Sequence, residues 1–310
     1  PASVGNVAVG FDILGHALSG VGDFVVVRRC SVPGVRIAEI SGLVTELPKS
    51  AKSNTASAAV LAMVERLGLG SSGFELTVEK GIPLSSGMGG SAASAVAAVA
   101  AVNHMLSDPL PIEELYEFAL AGEAVASGGV AHGDNVAASL LGGLSLRSTE
   151  GPPVRLPVDP TLHCVLVHPK IEIRTEDART ILPTEFPLRT FIDQSTNLAG
   201  VLVGCQSGDK DLIARSLSDQ MIEPCRRSLI PGFQDVKNAA MASGALGCSI
   251  SGAGPSVFAW FVTTSPGDLD PSDFPPELQT AGGRMLAAFQ QHGIDATIYS
   301  SPVNCPGVQI

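Results

Sequence analysis

Aromatic residues and positive charge are both scarce in this chain of 310 residues. It holds 11 Phe, 2 Tyr and 1 Trp, and only 19 Lys and Arg against 30 Asp and Glu. The formal charge of −11 at pH 7 argues against nucleic acid or an anionic membrane as partner. A phosphate ligand would need a locally positive site, supplied by helix N-termini or a few arginines. Long apolar runs are lacking too. The longest small-apolar stretch, Ala92 to Val102, is far short of a membrane span, and no basic leader precedes an apolar run. A soluble, cytoplasmic protein is expected. The sequence starts at Pro1 rather than Met, which leaves open that residues were removed ahead of it. The six cysteines, at 30, 164, 205, 225, 248 and 305, include no C-x-x-C pair and make no zinc spacing with the six histidines. Scattered reduced thiols are expected. What is plentiful is glycine, 34 residues, within a chain that is 45% hydrophobic. That composition describes a globular protein with many turns and close packing of small residues, in one large or two moderate domains.

Two α+β halves are read along the chain, 1–155 and 156–310, joined by the proline-rich stretch 150–160. In the first half, Phe24 to Val27 is β-like. "SNTASAAVLAMVERLGLG" predicts a helix capped by Ser53 or Asn54, with Gly68 after its last turn. Phe74, Leu76 and Val78 alternate with polar neighbours, as in a half-buried strand. Helices are expected from Ala92 to Leu106 and from Pro111 to about Ala126. In the second half, "LHCVLVHP" reads as a strand, "TEDARTIL" as a helix and 190–229 as a longer helical region. "SGALGCSISGAGPSVFAWFV" reads as strand, glycine turn and strand. An acidic, proline-rich loop, "DLDPSDFPPEL", then precedes a helix from Ala281 to His292 and the strand "DATIYSS".

The stretch "GIPLSSGMGGSAAS", from Gly81 to Ser94, sets a glycine cluster before an alanine-rich helix. A Walker A loop, G-x-x-x-x-G-K-S/T, fails because no lysine lies between Lys80 and Lys170. The dinucleotide pattern G-x-G-x-x-G/A is met from Gly87 to Ala92, but a second helix follows where a parallel strand ending in an acid is required. An anion nest needs only converging N–H groups and the positive end of the helix. A plain glycine turn before a buried helix needs still less. On the loop alone both stand.

Glu123 separates them. At about 100° per residue it returns to within about 20° of Ile112, on the apolar side of its helix, whereas Glu113, Glu114 and Glu117 lie opposite. A carboxylate on a buried face needs a cation, a metal or several donors. A helix frayed by Gly122 would instead release it to solvent. With the preceding helix alongside, Glu123 and the Ser91 hydroxyl could meet across Mg²⁺ and a nucleotide phosphate.

"PLSSGMGGSAAS" resembles the phosphate-binding motif of the GHMP kinases, P-x-x-x-G-L-G-S-S-A-A. "PASVGNVAVGFDILGHAL", "AHGDNVAASLLGG", "IRTEDARTILP", "IEPCRRSLIP" and "SISGAGPS" resemble the homoserine kinases in order and spacing, over nearly the whole chain. Pro1 falls where that family has a first strand already under way. The resemblance implies an N-terminal domain like ribosomal protein S5, with a left-handed βαβ unit, and a ferredoxin-like C-terminal domain. It implies transfer of the γ-phosphoryl group of ATP, with Mg²⁺, to the hydroxyl of L-homoserine, a step of threonine synthesis. ATP would lie against Pro83, Leu84, Ser85, Ser86, Gly87, Met88, Gly89, Gly90, Ser91, Ala92 and Ala93, and Ser91 and Glu123 would hold the metal. Gly90 departs from the motif, which has a serine there. A homodimer is left open.

On the substrate side, Arg179 and Arg226 suit the homoserine carboxylate, with surface solubility as the plainer role for each. Asn6, Asp12 and Asp134 could meet the ammonium group. Asp12 could equally be a turn residue, and Asp134 and Asn135 a helix cap. His132 could contact substrate or only sit in its loop, and Thr175 could cap the helix bearing Arg179. Gly252 belongs to the matched segment "SISGAGPS". Mevalonate-kinase-like relatives have a lysine near the N-terminus beside an aspartate base. The first lysine here is Lys49, which favours the homoserine arrangement. That arrangement shows no strong base, and here Asn135 would orient the hydroxyl, with the proton leaving through the phosphate itself. The alternatives are a GHMP kinase for another small alcohol, mevalonate or a sugar, and a non-catalytic nucleotide-binding regulator on the same fold.

Overall fold

The computed structural model describes residues 1–129, 131–264 and 275–310. In the first half, β1 (Ala2–Gly5) and β2 (Leu14–Leu18) pair antiparallel, and β2 continues the sheet to β6 (Leu144–Leu146) and β7 (Val154–Leu156). The proline-rich stretch therefore carries a short strand, because Val154, Arg155 and Leu156 add to the free edge of β6. A second sheet has the order β3 (Phe24–Cys30), β5 (Gly73–Lys80), β4 (Gly34–Gly42). Here β4 and β5 run parallel and are joined through α1 (Thr55–Arg66), the βαβ unit of this half. Asn54 caps α1, its side chain accepting from the Ala56 N–H. Gly68 follows at φ 67°, a left-handed position open to glycine.

Helix α2 (Gly90–His104) starts two residues before the expected Ala92. Most of its alanines and valines are buried, with Ala97 and Ala101 half-buried, and the helix packs on α1 and on α3 (Tyr116–Ala126). The helix expected from Pro111 starts as a 3₁₀ turn, Ile112–Leu115, and becomes α-helical at Tyr116. Helix α4 (Gly133–Leu141) then packs on β1 and β2.

The second half is built on β8 (Leu162–Pro169), β9 (Gly247–Ile250), β10 (Val257–Val262) and β11 (Ala296–Pro302), in the antiparallel order β11-β8-β10-β9. With helices between β8 and β9 and between β10 and β11, this is the βαββαβ arrangement of a ferredoxin-like domain. The helical region expected over 190–229 is broken. It comprises α6 (Leu188–Ser207), α7 (Lys210–Ser216), α8 (Glu223–Arg226) and a 3₁₀ turn, Arg227–Leu229. Gly208, at φ 72°, ends α6, and the Asp209 side chain caps α7. Helix α5 (Thr175–Thr180) follows β8, α9 (Phe233–Ala242) precedes β9, and α10 (Pro276–Gln291) lies between β10 and β11. Most of the acidic loop "DLDPSDFPPEL" lies outside the described residues.

One core layer joins the halves. Leu14, Leu18, Met88 and Leu144 share a cluster with Leu162, Leu166, Phe258 and Trp260. Trp260 is fully buried, and its indole donates to His16 Nε2 at 3.2 Å. The other ring nitrogen of His16, Nδ1, lies 2.9 Å from the Ala17 carbonyl. Burial holds His16 neutral and lowers its pKa to about 4.

Candidate active site

The loop between β5 and α2 winds through left-handed positions, Ser85 at φ 50°, Gly87 at 74° and Gly89 at 66°. Such alternation turns successive N–H groups to one side, and no side chain caps α2, so its first N–H groups add to the same concavity. Glycine is required at two of these positions. A Cβ on Gly89 would collide with Ser3 Oγ and lie 2.9 Å from Asn135 Oδ1, and one on Gly87 would press into the Ser251 and Gly254 carbonyls. The second half buttresses the loop. Ser251 Oγ donates to the Gly87 carbonyl and Ser256 Oγ to the Ser86 carbonyl, both at 2.7 Å.

Facing the loop across a cavity of about 250 Å³ are residues from six further segments. Loop residues 83 to 91 line it with Asn6, Asp12, Glu123, His132, Asp134, Asn135, Thr175, Arg179, Arg226 and Gly252. Ala92 and Ala93 do not. They are buried inside α2, and support the loop from behind.

Glu123 is 2% exposed, so the reading of its helix face holds and the helix does not fray before it. Its Oε1 accepts from Ser127 Oγ at 2.9 Å and lies 3.1 Å from His132 Nδ1. Its Oε2 is buried without a hydrogen-bond partner. His132, from the loop before α4, is thereby held against Glu123 and Ser127. Burial disfavours its charged form, but the bond to Glu123 and that carboxylate's charge outweigh burial and raise its pKa. Among the described residues no three His, Cys, Asp or Glu side chains form a metal cage. A hard cation at Oε2 would rely on Glu123, Ser91 and ligand oxygens, a donor set suited to Mg²⁺.

Asn6 anchors the other wall. Asn6, Val7 and Ala8 all have positive φ, at 69°, 42° and 57°, an unfavourable run for residues with a Cβ. The bend lets the Asn6 N–H donate to Asp134 Oδ2 at 2.9 Å and Asn6 Nδ2 to the Gly252 carbonyl at 2.8 Å. Asn6 Oδ1 accepts from the Asp12 N–H at 3.1 Å. Both ends of the Asn6 amide are therefore engaged within the protein. Asp134 and Asn135 sit in the first turn of α4, which has His132 at its N-cap position. Asn135 Oδ1 accepts from Ser3 Oγ at 2.9 Å, which fixes the amide. Burial and the neighbouring Asp12 raise the Asp134 pKa to about 6.

Arg226 is 3% exposed. Its Nε donates to the Ala178 carbonyl at 2.9 Å and its Nη1 to the Gly252 carbonyl at 3.0 Å. Burial and the charge of Arg179 lower its pKa to about 10. Thr175 lines the cavity but does not cap α5. It is the first helical residue, the N-cap position is Arg174, and no side-chain cap bond is made.

Residues 54–143 match the family model for the GHMP kinases N terminal domain, and residues 201–273 match that for GHMP kinases C terminal. A homoserine kinase of Xanthomonas campestris pv. campestris (strain B100) is 48% identical over 310 residues, all of this chain and 92% of the relative. The chain belongs to the GHMP kinase family. Within that family, a homoserine kinase of Chlorobium phaeobacteroides (strain BS1) is 41% identical, with 100% of this chain and 97% of the relative covered. The crystal structure of homoserine kinase from Cytophaga hutchinsonii ATCC 33406 superposes with a TM-score of 0.91 at 43% identity, over 99% of this chain and 94% of that one. Mevalonate kinase from L. major, in complex with R-mevalonate, shares the fold at a TM-score of 0.67 and 19% identity, with 98% and 95% covered.

This GHMP kinase holds a lysine at the root of its glycine loop that sequence reasoning passes over. Lys80, 3% exposed, ion-pairs with Asp23 and donates to the Gly90 carbonyl at 2.9 Å and to Ser94 Oγ at 2.8 Å. Asp23 also accepts from the Gly81 and Ile82 N–H groups, at 3.0 and 3.2 Å, and from Ser94 Oγ at 2.6 Å. The knot ties β3, the end of β5 and the start of α2 together at the loop's root. Its signal was present, because Lys80 continues the inward series Phe74, Leu76, Val78 of β5.

Proposed function

We propose that this chain is an ATP-dependent kinase that phosphorylates the side-chain hydroxyl of L-homoserine. The observation carrying this reading is the shared cavity. One wall offers the N–H groups of a glycine loop, and the other offers two arginines with two carboxylates. The first wall suits phosphates and the second an α-amino acid, a pairing that mevalonate or a sugar would leave half used. The family relatives named homoserine kinases, similar over the full chain, support the same substrate.

The first half, 1–155, supplies the nucleotide side, and the second, 156–310, completes the substrate side. Loop residues 85 to 91 cradle the β- and γ-phosphates at the positive end of α2. Ser91 and Glu123 hold Mg²⁺, with the partnerless Glu123 Oε2 as the supporting observation. The ion, when bound, neutralises charge on the transferring phosphates. Arg179 and Arg226 take the homoserine carboxylate, and Asp12 and Asp134 its ammonium group. Asn135, its amide fixed by Ser3, orients the hydroxyl. The hydroxyl oxygen forms a bond to the γ-phosphorus, the bond to the β,γ-bridging oxygen breaks, and ADP leaves. The hydroxyl proton passes to an oxygen of the transferred group. Such a loose transition state depends on alignment and charge neutralisation more than on a strong base. The enzyme acts in the cytoplasm.

ADP release from ATP and Mg²⁺ should follow addition of homoserine, and mevalonate or galactose should leave it at background. Turnover of mevalonate without homoserine would replace the substrate, and nucleotide binding without turnover of any alcohol would make the chain a regulator. Asn135→Ala should reduce kcat at least about tenfold with little change in the KM for ATP. Full kcat in that variant would remove the orienting role.

A further inference from the structure

Arg179 already has a carboxylate. Its Nη2 donates to both oxygens of Asp12, at 3.0 and 2.8 Å. Phe11, next to Asp12 in the chain, carries both cavity arginines on its ring, with Arg179 5.5 Å and Arg226 5.2 Å from the centroid. Arg226 bonds only to carbonyls among its described partners, and its charge and that of Arg179 repel. Asp134 likewise feels the charge of Asp12. On the substrate wall of the cavity two guanidinium groups thus stand with two carboxylates, and the Asp12–Arg179 pair keeps each sign there from confronting its like.

A lone carboxylate that captured Arg179 would strand Asp12 beside Asp134. A lone ammonium group that captured Asp12 would strand Arg179 beside Arg226. A molecule bearing both groups on one carbon does neither, because it supplies a new partner to each half of the opened pair. We infer that the Asp12–Arg179 ion pair is an exchange lock that selects α-amino acids by requiring both charges together, with Phe11 setting the spacing of the two guanidinium groups. The inference rests on the homoserine reading above and deepens it. Selection here comes from the pair already in the site as well as from the contacts a substrate gains.

The test compares kcat/KM for homoserine, 4-hydroxybutyrate (no ammonium) and 3-aminopropan-1-ol (no carboxylate) in wild type and Asp12→Asn. Asp12 sits at φ 57°, a conformation asparagine accepts. The substitution should lower kcat/KM for homoserine about a hundredfold, as expected when one partner of a charge-assisted contact is lost. It should raise kcat/KM for 4-hydroxybutyrate about fivefold, the yield of releasing a part-exposed ion pair. A residue that only bound the ammonium group would leave 4-hydroxybutyrate unchanged. No rise in that value overturns the lock while wild-type turnover of homoserine keeps the kinase reading intact. Absence of wild-type turnover sinks both. A second arm needs no variant. Butyrate and propylamine should compete with homoserine weakly when alone and at least about tenfold better when present together. Simple additivity of the two overturns the lock. Phe11→Leu should raise the KM for homoserine about tenfold, with kcat within about threefold, as loss of two cation–π contacts predicts. An unchanged KM removes Phe11 from the device.

Discussion

Asp134→Asn should make the empty enzyme more stable at neutral pH and less able to bind homoserine. Asp134 is 1% exposed, and its pKa is raised from 3.8 to about 6 by burial first and then by Asp12. A raised carboxyl pKa means that the native state holds a proton the unfolded chain has already released. Stability is therefore lost as pH rises from 3.8 through 6, and about two pKa units cost about 3 kcal/mol above that window. Asparagine carries no such charge and can still accept from the Asn6 N–H. It disturbs the long 3.3 Å bond from Asn135 Nδ2, a loss of about 1 kcal/mol. The net gain at pH 7.5 is then about 2 kcal/mol, some 3 °C in Tm for a chain of this length. As pH falls, wild-type Asp134 regains its proton, and the advantage should vanish near about pH 4.5, where cost and lost bond balance. The pH dependence of His16 is common to both proteins and cancels in the difference. The assay is paired thermal melts from pH 4 to 8, followed by emission of Trp260, the one tryptophan in the sequence, with far-UV circular dichroism alongside. A variant less stable at pH 7.5, or a gap that does not change with pH, would refute the charge-burial argument. The KM for homoserine should rise in the same variant, because the cost borne by the empty site is relieved when a substrate ammonium arrives.

Glu123→Gln should lower kcat by about a hundredfold or more with the fold intact, since one oxygen of the carboxylate has no protein partner to lose. Near-normal kcat would remove its role toward the metal. Gly89→Ala should raise the KM for ATP at least about tenfold, because its Cβ has no room beside Ser3 and Asn135 and its φ of 66° disfavours a side chain. Gly90→Ser, which restores the hydroxyl of the family motif, should change that KM by no more than about threefold. A Cβ there would lie 3.2 Å from Ile82 Cγ2, 3.4 Å from Ile82 Cβ and 3.6 Å from Lys80 Nζ, contacts that a small side-chain shift relieves. Steady-state titrations with ATP distinguish the two, and equal effects would remove the steric argument. His16 has its pKa lowered to about 4, so its contribution is present above 6.5 and is lost as pH falls towards 4, about 3 kcal/mol in all. His16→Phe should abolish that acid limb in denaturant melts, and a wild-type-like slope in the variant would assign it to other groups.

The fold was legible where periodicity is strong and the chain is punctuated. Asn54, Gly68 and the alternation Phe74, Leu76, Val78 placed α1 and β5 because capping and pleat are local rules. The sequence over 190–229 predicts a longer, more continuous helical region than the three helices that form there. Its break at Gly208 and Asp209 is a helix stop followed at once by a helix start, and composition alone blurs the two. Strand β7 was missed because three residues on a sheet edge gain their order from β6, which the local sequence does not show.

The site divides along the same line. Glu123 was found by asking which charges fall on a buried face, and that test depends only on helical geometry. Applied to β5, the same test points to Lys80, since position 80 repeats the inward phase of 74, 76 and 78. Lys80 lies neither where a Walker A loop nor where a mevalonate-kinase-like N-terminus puts a lysine, so motif spacing does not reveal it. The glycine loop is instead anchored from the strand before it, through the carbonyl of Gly90. The Asp12–Arg179 pair had no such signal. Its partners are 167 residues apart, and only the packing of Phe11 beneath α5 and α8 brings them together. A charge on the wrong face of one element can be read from sequence, whereas a charge balanced between two elements requires the fold.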